Sequence, residues 1–322
     1  MKAVVFDDEL KFVEDYKKPE LKPNEALIKP LYLGICNTDE EITKGYMGYK
    51  GVLGHEFVGV VEAVYNDSDK NLIGKKVVGE INLGCKNCPE CHQGLERHCK
   101  QRQTLGIFNK DGCFSEYFTL PTSNLLIVPD NVPDEVAVFV EPLAAAYEIF
   151  EQIQIKPKDK IAILGDGKLG LSISIIMNAL NVDYIHIGKH QEKLQITKDL
   201  GGKIKLLSEI NQNDFKNYDI VIEATGSTGG FETSLSLVKP RGILVLKSTI
   251  AAKEGLNLAS VVVDEITVLG SRCGQFEPVL RLMEKGLIDT KPLISKVLPF
   301  EEAIKGFELN RQKDTIKILL KL

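Results

Sequence analysis

The chain has 322 residues, of which 43% are hydrophobic and 26% charged, and 40 Lys and Arg against 45 Asp and Glu give a formal net charge of −5 at pH 7. This composition is that of an ordinary globular protein, and the length predicts about two domains. The weakly acidic balance argues against binding to nucleic acid or to an anionic membrane surface.

The first residues predict a cytoplasmic protein. Asp7 and Asp8 stand where a secretory signal needs a continuous apolar run, and no stretch approaches the roughly 18 apolar residues of a membrane span. Seven cysteines are few for a disulfide scaffold in a chain of this length. Four of them fall within the loop 85–99, where a reducing compartment favours metal ligation.

The region up to about residue 127 reads as short β-strands separated by turns and long loops. A helical pattern follows near Asp134 and continues to residue 151, although Pro142 is expected to kink or divide it. We predict a domain boundary within this stretch. From residue 160 onward strands and helices alternate, which predicts a parallel sheet covered by helices.

Three separated motifs carry candidate ligands for a catalytic metal: G-I-C-N-T-D at 34–39, G-H-E at 54–56 and E-P-L-A at 141–144. Cys36, His55 and Glu141 offer one sulfur, one nitrogen and one oxygen. Three protein ligands leave the fourth position of a zinc ion open to water or substrate, as catalysis requires. A single Cys or His is more often a packing or hydrogen-bonding residue, so spacing alone does not assemble this site.

The loop 85–99 carries four further candidate ligands, Cys85, Cys88, Cys91 and Cys99. Three cysteines at three-residue intervals and a fourth eight residues later can wrap one tetrahedral Zn²⁺, closed to substrate as in structural sites. An iron–sulfur cluster or redox-active cysteines are the alternatives, because other thiolate clusters also use short spacings.

A glycine-rich turn follows the strand 161–164 and leads directly into a helical pattern. In such a turn Gly165 allows the tight bend, Gly167 lets the backbone approach a pyrophosphate, and Gly170 permits close packing of helix and strand. The strand–turn–helix context favours a dinucleotide site over an accidental glycine-rich turn.

The end of the next strand predicts the cofactor. Enzymes that use NAD normally have an acid there, roughly 20 residues after the turn, to bind the ribose hydroxyls. This strand ends in Gly188, Lys189 and His190. Without the acid a 2′-phosphate is not repelled, and Lys189, with His190 if protonated, could pair with it, so we predict NADP in preference to NAD. The alternative is a solvated Lys–His pair.

Taken in order, these motifs and the segment E-A-T-G at 223–226 resemble the zinc-dependent medium-chain dehydrogenases over essentially the whole chain. The resemblance implies an α/β fold with two domains. A GroES-like β-rich catalytic domain would span residues 1–139, with 274–322 returning to it. A Rossmann domain with a doubly wound parallel sheet would span residues 140–273.

The resemblance also implies roles for individual residues. Cys36, His55 and Glu141 would ligate a catalytic zinc, which makes two zinc ions per chain with the cysteine loop. Glu56 would be a nearby carboxylate that tunes the metal, and Thr38 would carry the substrate proton away. The remaining cofactor contacts would be Leu169, Thr225 and Gly226.

With a glutamate as the third zinc ligand, the ligand set resembles that of the polyol, sugar and threonine dehydrogenases. The expected substrate is therefore a small hydroxylated molecule. The expected reaction is hydride transfer with a nicotinamide dinucleotide, and the expected assembly is a homo-dimer or homo-tetramer. Two alternatives stay open. One is a zinc-independent quinone or enoyl reductase of the same superfamily, and the other is a non-catalytic binding protein built on the zinc loop.

Overall fold

The computed structural model describes residues 1–249 and 258–322. The chain divides into two compact units. The first unit comprises Met1–Glu141, Phe276–Gly286 and Ile294–Leu322, and the second comprises Pro142–Gln275 and Leu287–Leu293. The predicted bounds placed all of 274–322 in the first domain, whereas residues 274–275 and Leu287–Leu293 group with the second unit, and residues 140–141 group with the first.

The elements are numbered in chain order. The strands are β1 (Ala3–Asp7), β2 (Glu9–Val13), β3 (Glu25–Gly34), β4 (Gly51–Val52), β5 (Glu56–Val64), β6 (Lys76–Gly79), β7 (Asn82–Leu83), β8 (Gln103–Leu105), β9 (Asn109–Lys110), β10 (Phe118–Pro121), β11 (Leu125–Ile127), β12 (Ile161–Leu164), β13 (Ile185–Gly188), β14 (Lys203–Leu206), β15 (Tyr218–Glu223), β16 (Val238–Leu246), β17 (Thr267–Gly270), β18 (Ile294–Pro299) and β19 (Lys317–Lys321). The α-helices are α1 (Asn37–Thr43), α2 (Pro89–His92), α3 (Asp134–Ala137), α4 (Val140–Gln152), α5 (Lys168–Ala179), α6 (Gln191–Asp199), α7 (Thr228–Leu237), α8 (Ala259–Val263), α9 (Phe276–Glu284) and α10 (Ala303–Asn310).

The first unit is built on a seven-stranded sheet. Its strand order is β11-β6-β5-β3-β19-β18, and β10 also pairs with β3. Strand β3 runs antiparallel to both β5 and β19, and Gly34 at its end lies opposite Glu56 on one side and Leu319 on the other. Residues distant in sequence therefore meet at one end of β3, where the metal motifs begin.

The second unit contains a six-stranded sheet in the order β14-β13-β12-β15-β16-β17, with every pair parallel. Helices α5, α6 and α7 connect successive strands of this sheet. The order is that of the Rossmann fold, in which the strand order reverses beside the first strand and leaves a crevice for a dinucleotide. The predicted fold class is confirmed.

The helical stretch around Pro142 is divided, as predicted, although the break lies earlier. Helix α3 ends at Ala137 and α4 begins at Val140, so Pro142 occupies the first turn of α4. Proline is tolerated there because the first N–H groups of a helix have no partner within the helix. Among residues 1–249 and 258–322, every helix is too short or too polar to cross a bilayer.

Candidate active site

Two of the predicted zinc ligands converge in the first unit with Glu56, the residue predicted as a nearby carboxylate. The Sγ of Cys36, a ring nitrogen of His55 and a carboxylate oxygen of Glu56 all lie within 4.8 Å of one another. Cys36 is the N-cap of α1, and His55 and Glu56 stand at the start of β5. Gly34 makes room for them, because a Cβ at this position would lie 2.2 Å from Glu56 Oε2. The cluster offers soft, borderline and hard donors together, a set that suits zinc.

Asp39 contacts two members of this cluster and was not predicted as a site residue. It is fully buried, its Oδ1 lies 3.2 Å from His55 Nδ1, and the backbone N–H of Cys36 donates to its Oδ2 at 2.9 Å. The contact with His55 does not have hydrogen-bond geometry, but a carboxylate that faces Nδ1 favours Nε2 as the ligand atom. The only sequence signal for it was its place in the motif at 34–39.

Glu56 is held by a second buried charge that the sequence analysis missed. Lys317 Nζ, on β19, donates to Glu56 Oε1 at 2.7 Å and to Oε2 at 2.5 Å, and both side chains are almost fully buried. Burial by itself would lower the pKa of Lys317. Glu56 and neighbouring acidic groups raise this pKa by more than burial lowers it, so the net shift is upward and the ammonium group stays charged. Both oxygens of Glu56 are therefore already engaged by a cation.

Glu141 lies at the start of α4, and His55, Glu56 and Lys317 all act electrostatically on it. Burial raises the pKa of Glu141 to about 7. It is not a member of the 4.8 Å cluster, in which Glu56 supplies the oxygen. Thr38 contacts the cluster, since its Oγ1 accepts from Cys36 Sγ at 3.7 Å.

The four cysteines of the loop 85–99 converge on one point. Their Sγ atoms all lie within 4.8 Å of one another, and none forms a disulfide. Cys88 is the N-cap of α2, and the backbone N–H of Cys85 donates to Cys99 Sγ at 3.4 Å. This donation lowers the pKa of Cys99, which favours the thiolate that a metal binds. The backbone N–H of Cys91 lowers the pKa of Cys88, but desolvation and side-chain hydrogen bonds to the neighbouring cysteines raise it by more. Four thiolates around one point match a closed tetrahedral zinc site.

In the second unit the glycine turn lines a cavity of ≈ 500 Å³ at the carboxyl end of the sheet. Gly165 has φ 120°, and a Cβ at Gly170 would lie 1.7 Å from the Gly165 carbonyl oxygen, so neither position accepts a larger residue. A Cβ at Gly167 would meet no atom within 4 Å, so this backbone faces open space. The three glycines thus behave as a dinucleotide turn requires.

Several other predicted cofactor residues border the same cavity. Gly188, Lys189 and Thr225 line it together with Gly165 and Gly167. Within the part of the chain that the structure describes, the lining does not include Leu169, Gly170, His190 or Gly226.

Buried Glu223 fixes the segment that carries Thr225 and Gly226. The backbone N–H and the hydroxyl of Thr225 donate to its Oε1 at 2.6 and 2.5 Å, and the Gly226 N–H does so at 3.1 Å. Its Oε2 accepts from the hydroxyl of Ser248 at 2.5 Å. One carboxylate therefore holds two loops at the ends of β15 and β16.

The end of β13 binds the carboxylate of Asp166, a residue of the glycine turn that was not predicted to take part in the site. The N–H groups of Lys189 and His190 both donate to Asp166 Oδ2 at 2.6 Å, and His190 Nδ1 lies 3.1 Å from the same oxygen. Burial raises the pKa of Asp166, but these donors outweigh it and the net shift is downward, so the group is a carboxylate at neutral pH. His190 is consequently already paired within the chain.

Comparison with known proteins covers the same two regions. The family model "Alcohol dehydrogenase GroES-like domain" matches residues 22–130, and "Glucose dehydrogenase C-terminus" matches residues 134–322. The chain is 27% identical to L-threonine 3-dehydrogenase of Proteus mirabilis (strain HI4320), over 96% of this chain and 95% of that protein.

Solved structures extend the similarity to the fold. Alcohol dehydrogenase TADH from Thermus sp. ATN1 is 30% identical with a TM-score of 0.89, over 100% of this chain and 99% of that one. A short chain alcohol dehydrogenase (rspB) from Escherichia coli CFT073, solved with NADH, is 26% identical with a TM-score of 0.92 at the same coverage. The similarity thus spans both units.

Proposed function

The chain belongs to the zinc-containing medium-chain alcohol dehydrogenase family, and on that premise we propose that it is a zinc-dependent enzyme that transfers a hydride between a nicotinamide dinucleotide and a small polyhydroxylated alcohol. Oxidation or reduction at an alcohol carbon follows from the family itself. The observation that carries the zinc dependence is the convergence of Cys36, His55 and Glu56 within 4.8 Å. The polyol preference is supported by relatives named for threonine and D-arabitol phosphate.

We assign the catalytic zinc to Cys36, His55 and Glu141, with Glu56 beside it. The assignment of Glu141 in place of Glu56 is supported by charge. Both oxygens of Glu56 already accept from Lys317, whereas Glu141 is a buried carboxyl group whose pKa is raised mainly by that burial. The structural zinc is assigned to the four cysteines of the loop 85–99.

When bound, zinc supplies Lewis-acid chemistry that acidifies a substrate hydroxyl, and the nicotinamide ring accepts the hydride. The side chains of this chain prepare that step. Asp39 faces Nδ1 of the His55 ring at 3.2 Å, and the Glu56–Lys317 pair adds no net charge to the site. We expect Thr38 to relay the substrate proton, receiving it while passing its own hydroxyl proton on to solvent, because its hydroxyl lies 3.7 Å from Cys36 Sγ.

The direct test is zinc content combined with a substrate screen. Protein purified without chelator is expected to contain two zinc ions per chain, because two separate donor sets are present. The same sample is expected to change the absorbance of the reduced nicotinamide with polyols, sugars or threonine more than with simple alcohols. One zinc and no turnover would leave the cysteine loop standing and reject the site at Cys36, and no zinc would favour a zinc-independent reductase.

The preference for NADP predicted from Lys189 and His190 stays a prediction, but one of these two residues is already engaged within the chain. Lys189 is exposed at the cavity, but His190 is paired with Asp166. The absence of an acid at the end of β13 was the other ground for NADP, and Asp166 of the glycine turn places a carboxylate against that strand end.

We also propose that the protein is a homo-oligomer that associates through the edge strand β17. On the described residues this strand pairs only with β16, and Val268 on it is 40% exposed. Val262 and Val263 on the preceding helix α8 are 77% and 80% exposed. An unpaired strand edge beside exposed apolar side chains is suited to pair with a second copy of the chain.

Light scattering is expected to give the mass of two or four chains for this protein. Val263→Glu is expected to shift the mass toward one chain, because it places a charge on the apolar patch. Ile127→Glu is the control, since Ile127 is an exposed apolar residue at 49% on the first unit. A monomeric wild-type protein would reject the proposal.

A further inference from the structure

The end of β13, where NAD enzymes of this fold carry their acidic residue, has a glycine followed by Lys189 and His190. That position is Gly188, and a Cβ built on it would lie 2.6 Å from both Cβ and Oδ2 of Asp166. The three atoms nearest to such a Cβ all belong to Asp166. The side chain of Asp166, which arrives from the glycine turn, therefore fills the space that a side chain at the strand end would occupy.

We infer that Asp166 is the ribose-binding carboxylate of this protein, supplied by the glycine turn in place of the strand end, and that it selects NAD(H) over NADP(H). This inference rests on the proposed function, since it assumes a dinucleotide in the cavity beside Gly165 and Gly167. It adds a residue to the cofactor site and reverses the preference that the sequence predicted.

The hydrogen bonds of Asp166 leave one oxygen for a ligand. Oδ2 accepts the N–H groups of Lys189 and His190, whereas Oδ1 accepts no hydrogen bond from the described residues. Asp166 lines the cavity, and its side chain is 12% exposed. A carboxylate oxygen that is fixed and open on one side is an acceptor for the 2′- and 3′-hydroxyl groups of an adenosine ribose.

The same arrangement is unfavourable for a 2′-phosphate. The backbone N–H groups at this strand end would be natural donors to a phosphate, and both are already bound to Asp166 Oδ2. The carboxylate would also repel a phosphate that carries up to two negative charges, at a short distance and in a partly buried place. His190 pairs with Asp166, so Lys189 is the cation that the described lining of the cavity offers against that repulsion, and its exposed side chain is screened by solvent.

The test measures binding of the two reduced cofactors without any substrate. Wild-type protein is titrated with NADH and, separately, with NADPH, and the fluorescence of the nicotinamide reports the Kd. We expect NADH to bind at least about tenfold more tightly. Asp166→Asn keeps an oxygen for the two N–H groups but removes the charge, so the ratio of the two Kd values is expected to fall by at least about tenfold.

A swap variant tests the position of the acid. Asp166→Gly alone should lose the preference for NADH, and the double variant D166G/G188D should restore it, because the space next to Gly188 is then free for the new carboxylate. Asp183→Asn is the matched control, since it removes the same charge from an exposed site before β13 and should leave both Kd values unchanged. Thermal unfolding of each variant confirms that it is folded.

Each outcome decides between the claims. A wild-type protein that binds NADPH more tightly, or an unchanged ratio in D166N, overturns the inference. A folded D166G/G188D protein without recovered NADH preference overturns the equivalence of the two positions. Failure of the wild-type protein to bind either cofactor would instead reject the proposed function.

Discussion

Replacing Lys317 by methionine is expected to lower the free energy of unfolding by about 3–5 kcal/mol, the usual cost of leaving one buried charge without its partner. Lys317 and Glu56 are 3% and 1% exposed, and Nζ contacts both carboxylate oxygens. Methionine matches the length and the apolar stem of lysine, so the change removes the charge with little change in packing. Urea unfolding of the zinc-loaded protein measures the effect.

The double variant E56Q/K317M separates the ion pair from the packing. It removes both charges, so it is expected to recover most of the stability lost in K317M. Lys305→Met is the matched control, because Lys305 pairs with Glu302 on the surface and its side chain is 55% exposed. That variant should change stability by less than about 0.5 kcal/mol. If K317M lowered the free energy of unfolding by less than about 1 kcal/mol, the ion pair would not stabilise the end of β3 and the prediction would be wrong.

The need for Lys317 could not be predicted from the sequence. In the segment 316–320 a single lysine among apolar residues indicates an ordinary strand with one exposed position. Its burial arises because β19 pairs with β3, whose other neighbour β5 carries Glu56. Such a contact across 261 residues depends on the strand order of the sheet, which no local pattern encodes.

Asp166 illustrates the same limit within a motif that was recognised. The spacing of Gly165, Gly167 and Gly170 predicts the turn because each glycine answers a local backbone requirement. The residue between the first two glycines is unconstrained by that pattern. Its carboxylate gains a role only through the neighbouring strand β13, which the register of the parallel sheet brings alongside β12.

Secondary structure followed the strength of the hydrophobic pattern. The buried central strand β12 is a continuous apolar run and was predicted, whereas the edge strand β14 was not. Its sequence Lys203-Ile-Lys-Leu206 alternates charged and apolar residues over only four positions, which is too short to distinguish a strand from a loop. The pairing with β13 supplies the missing stabilisation.

Replacing Cys36 by serine is expected to reduce the zinc content from two ions to one per chain and to lower kcat/KM by roughly 10³-fold or more, because a catalytic metal stabilises the transition state by several kcal/mol. The cysteine loop 85–99 is a separate donor set and should keep its zinc, so stability should change little.

Cys273→Ser, in the second unit and outside both donor sets, is the matched control and should retain two ions and full activity. Zinc analysis and kinetics on the best substrate of the screen give both readings. Two zinc ions and undiminished turnover in C36S would remove Cys36 from the catalytic site, while one ion with lost turnover would leave Cys36 as the ligand on which the reaction depends.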